Sequence, residues 1–241
     1  FRFALVNSSD DYYLDEVILI KYLEPEDAPS TYSLTIPSTV DGYMVKGISD
    51  YAFLNNTKLQ SVFLNENISS IGEGAFMGCS NLTDIYGNNA MIQKLGAKAF
   101  KDCTLLSNLN AIFRINEIKD ETFKNCKKLT NIFDLAKRQV NSIGNYAFSG
   151  SGITTFSDYT SLNYIGEGAF YECKDLTNVV LSNTIKIIQG YAFSDTNLNY
   201  IKCKFDDGDA TIGDNANVSF IYNYVDDYVS NGLSYILVNN N

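Results

Sequence analysis

A chain of 241 residues with 28 acidic and 18 basic side chains carries a formal charge of −10 and contains neither histidine nor tryptophan. The missing imidazole removes Ser-His-Asp and Cys-His catalysis and His-ligated zinc or non-haem iron. The acidic balance removes the basic footprint that a nucleic-acid partner requires. With 45% hydrophobic residues, 15 Phe, 17 Tyr and 19% charged residues, the composition is that of a folded core and not of a disordered polyelectrolyte.

No run approaches the roughly 18 consecutive apolar residues that cross a bilayer; the best, residues 17–20, stops at Lys21. No membrane insertion by this segment is therefore expected. The chain begins with Phe1 and not Met, without a visible secretory signal, so it is expected to be a trimmed or mature fragment. Residues 12–20 have the look of a strand and residues 34–36 of a second. The acidic pairs Asp10-Asp11 and Asp15-Glu16 read as a solvated edge that keeps the first strand from pairing with other molecules.

From residue 45 onward the chain repeats itself. Ala-Phe or a close variant ends at Phe53, Phe76, Phe100, Phe123, Phe148, Phe170 and Phe193, at intervals of 22 to 25 residues. Five residues before each Phe stands Ile48, Ile71, Leu95, Ile118, Ile143, Ile165 or Ile188, and eight before it Val45, Ile68, Ile92, Ile115, Val140, Leu162 or Ile185. Both positions are aliphatic seven times out of seven, which 45% apolar content does not produce by chance. After each Phe comes Leu59, Leu82, Leu106, Leu129, Ile153, Leu176 or Leu198, and three residues later Val62, Ile85, Leu109, Ile132, Phe156, Val179 or Ile201. Units of this kind cannot bury an apolar face alone; neighbours must stack and share one core.

The cysteines fall into the same scheme. Cys79, Cys103, Cys126 and Cys173 each lie three residues after the repeat Phe, and Cys203 falls in the last predicted strand. Asn56, Ser151 and Thr196 hold that position in the other repeats, and the shorter Phe-to-Leu spacing around Ser151 and Thr196 predicts that those two side chains no longer point inward. An odd number of widely spread cysteines without a Cys-x-x-Cys pair reads as a row of small buried thiols, not as a disulfide framework or a zinc site. Beyond the repeats, residues 218–222 and 233–238 read as capping strands, with a short helical turn at 225–229 between them. The loop Asp206-Asp207-Gly208-Asp209, followed by Asp214-Asn215, is acidic but fails the EF-hand spacing and lacks the closing Glu.

These residues resemble the BspA-like bacterial leucine-rich repeats. Their motif stands here as Ile71-Gly72-Glu73-Gly74-Ala75-Phe76-Met77-Gly78-Cys79 and as Ile165-Gly166-Glu167-Gly168-Ala169-Phe170-Tyr171-Glu172-Cys173, and residues 34–45 are similar to the family's lead-in. Thr122 departs from it at the Ala, and Ser49, Lys119 and Gln189 at the turn Gly. The resemblance covers residues 33–203. It implies a repeat solenoid: a leucine-rich-repeat-like right-handed superhelix with a short-stranded parallel sheet, capped at both ends. A single domain spanning 1–241 is expected, with an N-terminal cap at 1–44, seven repeats of about 23 residues at 45–203 and a C-terminal cap at 204–241. The resemblance also implies a secreted or cell-surface protein that recognises other macromolecules, since members are associated with adhesion to matrix proteins and to other bacteria.

In such a solenoid each strand presents an outward side chain on either side of its inward one. Those positions are Ser61 and Phe63, Asp84 and Tyr86, Asn108 and Asn110, Asn131 and Phe133, Thr155 and Ser157, Asn178 and Val180, then Tyr200 and Lys202. An amide-rich surface carrying Phe63, Tyr86, Phe133 and Tyr200 suits contact with an extracellular protein or glycan. The candidate binding residues are thus Phe63, Asp84, Tyr86, Asn108, Asn110, Asn131, Phe133, Asn178 and Tyr200; the same aromatics could equally cover one another across the ladder. No catalytic residue, metal site or cofactor is expected. Glu73 and Glu167 sit four repeats apart, about 19 Å at strand spacing, too far for a glycosidase pair, and no phosphate- or dinucleotide-binding glycine motif is present. A non-catalytic binding or adhesion module is the first functional reading, and a structural spacer in a larger surface protein the second. The short linkers and 3 prolines predict one broadly cooperative unfolding transition in denaturant, followed by circular dichroism; two separate transitions would contradict the single domain.

Overall fold

The structure, a computed structural model, describes residues 2–6, 16–23, 29–87, 89–109, 112–131, 140–157, 161–181, 184–198, 200–203, 211–212, 218–221 and 234–238, with backbone alone for the first two and last three of these segments and for residues 112–113, 200 and 202–203. The chain forms two compact units, Phe1–Ile115 and Asn116–Asn241. Among the described residues every regular element is a strand, and no helix is long and apolar enough to cross a membrane.

The first unit contains β1 (Arg2–Val6), β2 (Glu16–Leu23), β3 (Tyr32–Thr35), β4 (Thr39–Val40), β5 (Tyr43–Ile48), β6 (Leu59–Phe63), β7 (Ser70–Ile71), β8 (Asp84–Tyr86), β9 (Met91–Ile92), β10 (Lys94–Leu95), β11 (Asn108–Leu109) and β12 (Ile112–Phe113). The predicted strands after Phe53, Phe76 and Phe100 form one parallel ladder with β3, in the order β3-β6-β8-β11. A second parallel ladder, β5-β7-β10, is built from the aliphatics five residues before each Phe, which align as Ile48, Ile71 and Leu95. Sequence periodicity marked those aliphatics as core without assigning them a sheet of their own. At the N-terminal end β2 runs parallel to β5, with β1 antiparallel outside it, and β4 folds back on β5. That hairpin turns at Asp41-Gly42, both at positive φ, the pairing that a two-residue hairpin turn demands. The lead-in strand β3 is already a rung of the ladder, since Leu34 aligns with Val62.

The second unit repeats the plan with β13 (Glu117–Ile118), β14 (Ser142–Ile143), β15 (Thr155–Ser157), β16 (Tyr164–Ile165), β17 (Asn178–Leu181), β18 (Ile187–Ile188), β19 (Tyr200–Cys203), β20 (Thr211–Ile212), β21 (Val218–Ile221) and β22 (Ser234–Val238). One parallel ladder runs β13-β14-β16-β18-β20. The other runs β15-β17-β19 and is closed by β22 and β21, both antiparallel. The two predicted C-terminal strands are therefore present, pairing with the last repeat strand and with each other. The predicted helical turn at 225–229 lies outside the described residues.

The core of each unit is built around a row of phenylalanines, each at most 2% exposed. In the first unit Phe53, Phe76 and Phe100 stack with centroids 5.0 and 5.4 Å apart and rings 2° from parallel. In the second, Phe123, Phe148, Phe170 and Phe193 follow at 5.4, 5.3 and 5.2 Å. Each contact is worth about 0.5–1.5 kcal/mol beyond the area it buries. The turn that carries the ring is itself hydrogen-bonded from repeat to repeat: Phe53 N–H donates to the Ala75 carbonyl, Phe76 to Ala99, Phe148 to Ala169 and Phe170 to Ala192, each at 2.8 Å. Thr122 occupies the Ala position fully buried, and its hydroxyl is satisfied by the Lys119 carbonyl at 2.8 Å.

Backbone curvature in these turns comes from residues in the left-handed region two before and two after every Phe. The series before is Tyr51, Gly74, Lys98, Glu121, Tyr146, Gly168 and Tyr191; the series after is Asn55, Gly78, Asp102, Asn125, Gly150, Glu172 and Asp195. The turn glycine ahead of them answers a separate need. A Cβ at Gly72 would lie 2.4 Å from Asp50 Oδ1 and 2.5 Å from the Asp50 nitrogen, in the turn of the preceding repeat. Ser49 and Lys119, which replace this glycine, stand in the first such turn of their respective units.

Replacing Phe148, which has a ring on either side, removes two stacking contacts and opens a cavity. Phe148→Ala is expected to cost about 3–5 kcal/mol, read as a lower urea midpoint by circular dichroism. A midpoint equal to wild type would refute the stacked-ring core.

Candidate ligand-binding surface

The outward residues of the first unit's post-Phe ladder form two rows. In one, Ser33, Ser61, Asp84 and Asn108 are in register, and hydrogen bonds run along it: Ser61 Oγ to Ser33 Oγ at 2.7 Å, and Asn108 Nδ2 to Asp84 Oδ1 at 2.6 Å. In the other, Thr35, Phe63 and Tyr86 are in register. The Phe63 and Tyr86 rings meet edge to face at 5.3 Å with 69° between planes. Tyr86 remains 38% exposed, whereas Phe63 is half-buried. The aromatics thus partly cover one another while leaving a ring at the surface beside a carboxylate and an exposed carboxamide.

Of the nine candidate residues, Phe63, Asp84, Tyr86 and Asn108 are brought together in this unit. Asn178, exposed on β17 and in register with Thr155, and exposed Asn131 belong to the second unit. Asn110 and Phe133 lie outside the described residues. The backbone of Tyr200 opens β19, with its side chain outside the description.

Four cysteines, Cys79, Cys103, Cys126 and Cys173, are free and buried, as the repeat spacing predicted. Their purpose is visible in the hydrogen bonds. The Cys79 thiol donates to the Phe53 carbonyl at 3.1 Å, Cys103 to Phe76 at 3.0 Å and Cys173 to Phe148 at 3.0 Å. Each of those carbonyls also accepts the backbone N–H three residues after its own Phe: Asn56, Cys79 and Ser151. Both lone pairs of a buried carbonyl are thereby used, which a hydrocarbon side chain could not achieve. The expectation that Ser151 and Thr196 turn outward is overturned. Both are buried: Ser151 Oγ lies 3.5 Å from the Cys173 sulfur of the next repeat, and Thr196 Oγ1 donates to the Phe193 carbonyl of its own turn at 2.9 Å, so each hydroxyl finds a partner inside. Asn56 donates to the Tyr32 hydroxyl at 2.5 Å and accepts from the N–H of Lys58 and Leu59, joining the first repeat to the strand before it.

Glu73 and Glu167 are turn residues with a shared partner type. Tyr51 donates its hydroxyl to Glu73, and Tyr146 donates to Glu167 Oε1 at 2.7 Å. Those bonds raise both tyrosine pKa values. Sequence reasoning missed these pairs. Their signal was present, as Tyr two before one Phe and Glu three before the next. Among the described residues no three metal-ligating side chains converge; all of the acidic loop 206–215 except residues 211–212 lies outside them.

The sequence matches the family described as the BspA type leucine rich repeat region, in six copies, over residues 27–137 and 93–220. The chain belongs to this family of leucine-rich-repeat solenoids, which is generally non-catalytic. No curated protein matches it in sequence. Among solved structures, a leucine rich cell surface protein from Faecalibacterium prausnitzii is similar with a TM-score of 0.58 at 20% identity, covering 89% of this chain and 71% of its own. A leucine rich repeat protein from T. pallidum is similar with a TM-score of 0.56 at 22% identity, covering 88% and 83%. At these identities the likeness is one of fold.

Burial pushes the Cys79 thiol up to about 12 and the Cys173 thiol up to about 11, from an ordinary value of 9.0. Unfolding lets these thiols ionise near 9, so their stabilising contribution is complete below pH 9 and is lost as pH rises towards 11–12. Urea midpoints are expected to fall over that window, and to fall less steeply in a Cys79→Ala/Cys173→Ala variant. An identical slope in the variant would refute the assignment.

Proposed function

We propose that this chain is a non-catalytic binding module of a secreted or cell-surface protein, and that it engages an extracellular protein or glycan through the outer face of its post-Phe ladder. The observation that carries the reading is the Phe63–Tyr86 pair beside Asp84 and Asn108. An exposed ring of fixed orientation offers contact area at little entropic cost, and the adjacent carboxylate and amide offer directional bonds. Four paired strands hold these groups in register, so little ordering remains to be done on binding. Asn131, Asn178 and Tyr200 extend the same amide-and-aromatic character into the second unit. Asn110 and Phe133 belong to the same repeat positions by sequence. The surface location rests on the family and on the Faecalibacterium prausnitzii neighbour, itself a leucine rich cell surface protein.

The test is binding of wild type and a Phe63→Ala/Tyr86→Ala variant to immobilised matrix proteins and glycans, with circular dichroism on both. A ligand held by wild type and bound at least about 30-fold more weakly by the folded variant is the expected result. Equal binding by both would move recognition off this face. An absence of binding by wild type would favour a structural spacer that presents other parts of a larger protein.

A further inference from the structure

The turns around the repeat Phe carry a second surface, and the two units differ there in one informative way. In the first unit Tyr51, at φ 56°, lays its ring over Gly74, where a Cβ would come within 2.5 Å of a ring carbon. Its hydroxyl donates to Glu73, and one repeat further on Lys98, at φ 58°, brings its ammonium 3.7 Å from Glu73 Oε1. The second unit reproduces this frame. Tyr146 lays its ring over Gly168, within 2.4 Å of a Cβ there, and donates to Glu167. The backbone bonds correspond as well: Tyr51 to Glu73 and Tyr146 to Glu167, both 2.8 Å, and Gly74 to Ala97 and Gly168 to Gly190, both 2.9 Å. The residue at the register of Lys98, however, is Tyr191, at φ 57°.

Glu167 is thus a carboxylate whose counterpart holds an ammonium, and among the described residues no lysine or arginine pairs with it. In place of that ammonium stands an aromatic ring, 45% exposed. The Tyr146 ring already accepts one cation: the Lys124 ammonium lies 5.1 Å from its centroid while 2.7 Å from Glu121. A tyrosine face with a carboxylate beside it thus binds an ammonium on this turn surface, and the Tyr191 ring has no such cation among the described residues. Glu172 and Asp195, equivalent positions two residues after Phe170 and Phe193, add two carboxylates to the same pair of turns, with the Glu172 N–H bonded to the Ser194 carbonyl at 3.0 Å.

We infer that Glu167, held in place by the Tyr146 hydroxyl, and the Tyr191 ring form a cation-binding site for a lysine or arginine side chain of a partner protein's basic segment. The flanking Glu172 and Asp195 favour a segment with more than one positive charge over a single small ammonium. The site lies on the turns, not on the outer face of the post-Phe ladder, and stands independently of binding there.

The experiment is fluorescence polarisation of a labelled octapeptide of alternating lysine and glycine with the full chain. Glu167→Gln removes the charge, and Tyr191→Lys supplies internally the ammonium that Lys98 supplies to Glu73; both are expected to weaken binding about tenfold with circular dichroism unchanged. Phe63→Ala/Tyr86→Ala is expected to leave it unchanged. Wild-type affinity in Glu167→Gln and Tyr191→Lys, loss of binding in the Phe63/Tyr86 variant, or no wild-type binding below about 1 mM would each overturn the assignment.

Discussion

Within each unit a buried phenylalanine ring occupies the same place in every turn. The rings therefore stack at 5.0 to 5.4 Å, close to the separation of hydrogen-bonded strands. Stacking in turn brings each Phe carbonyl under the next repeat's position three residues after Phe. A thiol there supplies the second hydrogen bond that the carbonyl needs. Ring, carbonyl and thiol together set the vertical register of a unit, and the two strand ladders inherit it. The intervals between rings vary from 22 to 25 residues because the connections between ladders absorb the difference without moving the ring or the thiol.

Left-handed residues on both sides of every Phe are the second constraint, and they link the core to the surface. Glycine, asparagine and aspartate adopt that conformation at little cost; tyrosine, lysine and glutamate do so at roughly 1–3 kcal/mol each, sustained by the surrounding packing. Their side chains leave the backbone in the same direction in every repeat. The turn surface is thereby a regular array in which Tyr51 and Tyr146 cover the glycines of the following repeats and donate to the same kind of glutamate. Regularity here is imposed by the backbone, whereas the identity of each outward group is free.

That division explains what could be read from the chain before its structure. The Phe row, the aliphatics five and eight residues earlier and the buried thiols were legible because packing allows few residue types at those positions. The second ladder was not: Ser70-Ile71 or Glu117-Ile118 is too short for alternation to show, and its aliphatics serve equally well as unpaired core. Ser151 and Thr196 were misread because spacing alone does not reveal that one hydroxyl meets the thiol of the next repeat and the other a carbonyl of its own turn. The strand register of Phe63, Asp84, Tyr86 and Asn108 was legible, yet the burial of Phe63 against Tyr86 depends on side-chain angles that a sequence does not carry.

Recognition in such a scaffold is best sought where equivalent positions differ without a packing reason. Lys98 and Tyr191 share a register, a backbone conformation and a neighbouring tyrosine–glutamate pair, so nothing in the core distinguishes them. A lysine there neutralises the glutamate from within. A tyrosine leaves the charge uncompensated and adds a surface that attracts cations, in a chain already carrying −10. Repeats thus act as controls for one another: the interior of each is specified by its neighbours, and an outward substitution that alters the local charge balance changes which partners the surface attracts while leaving the fold alone.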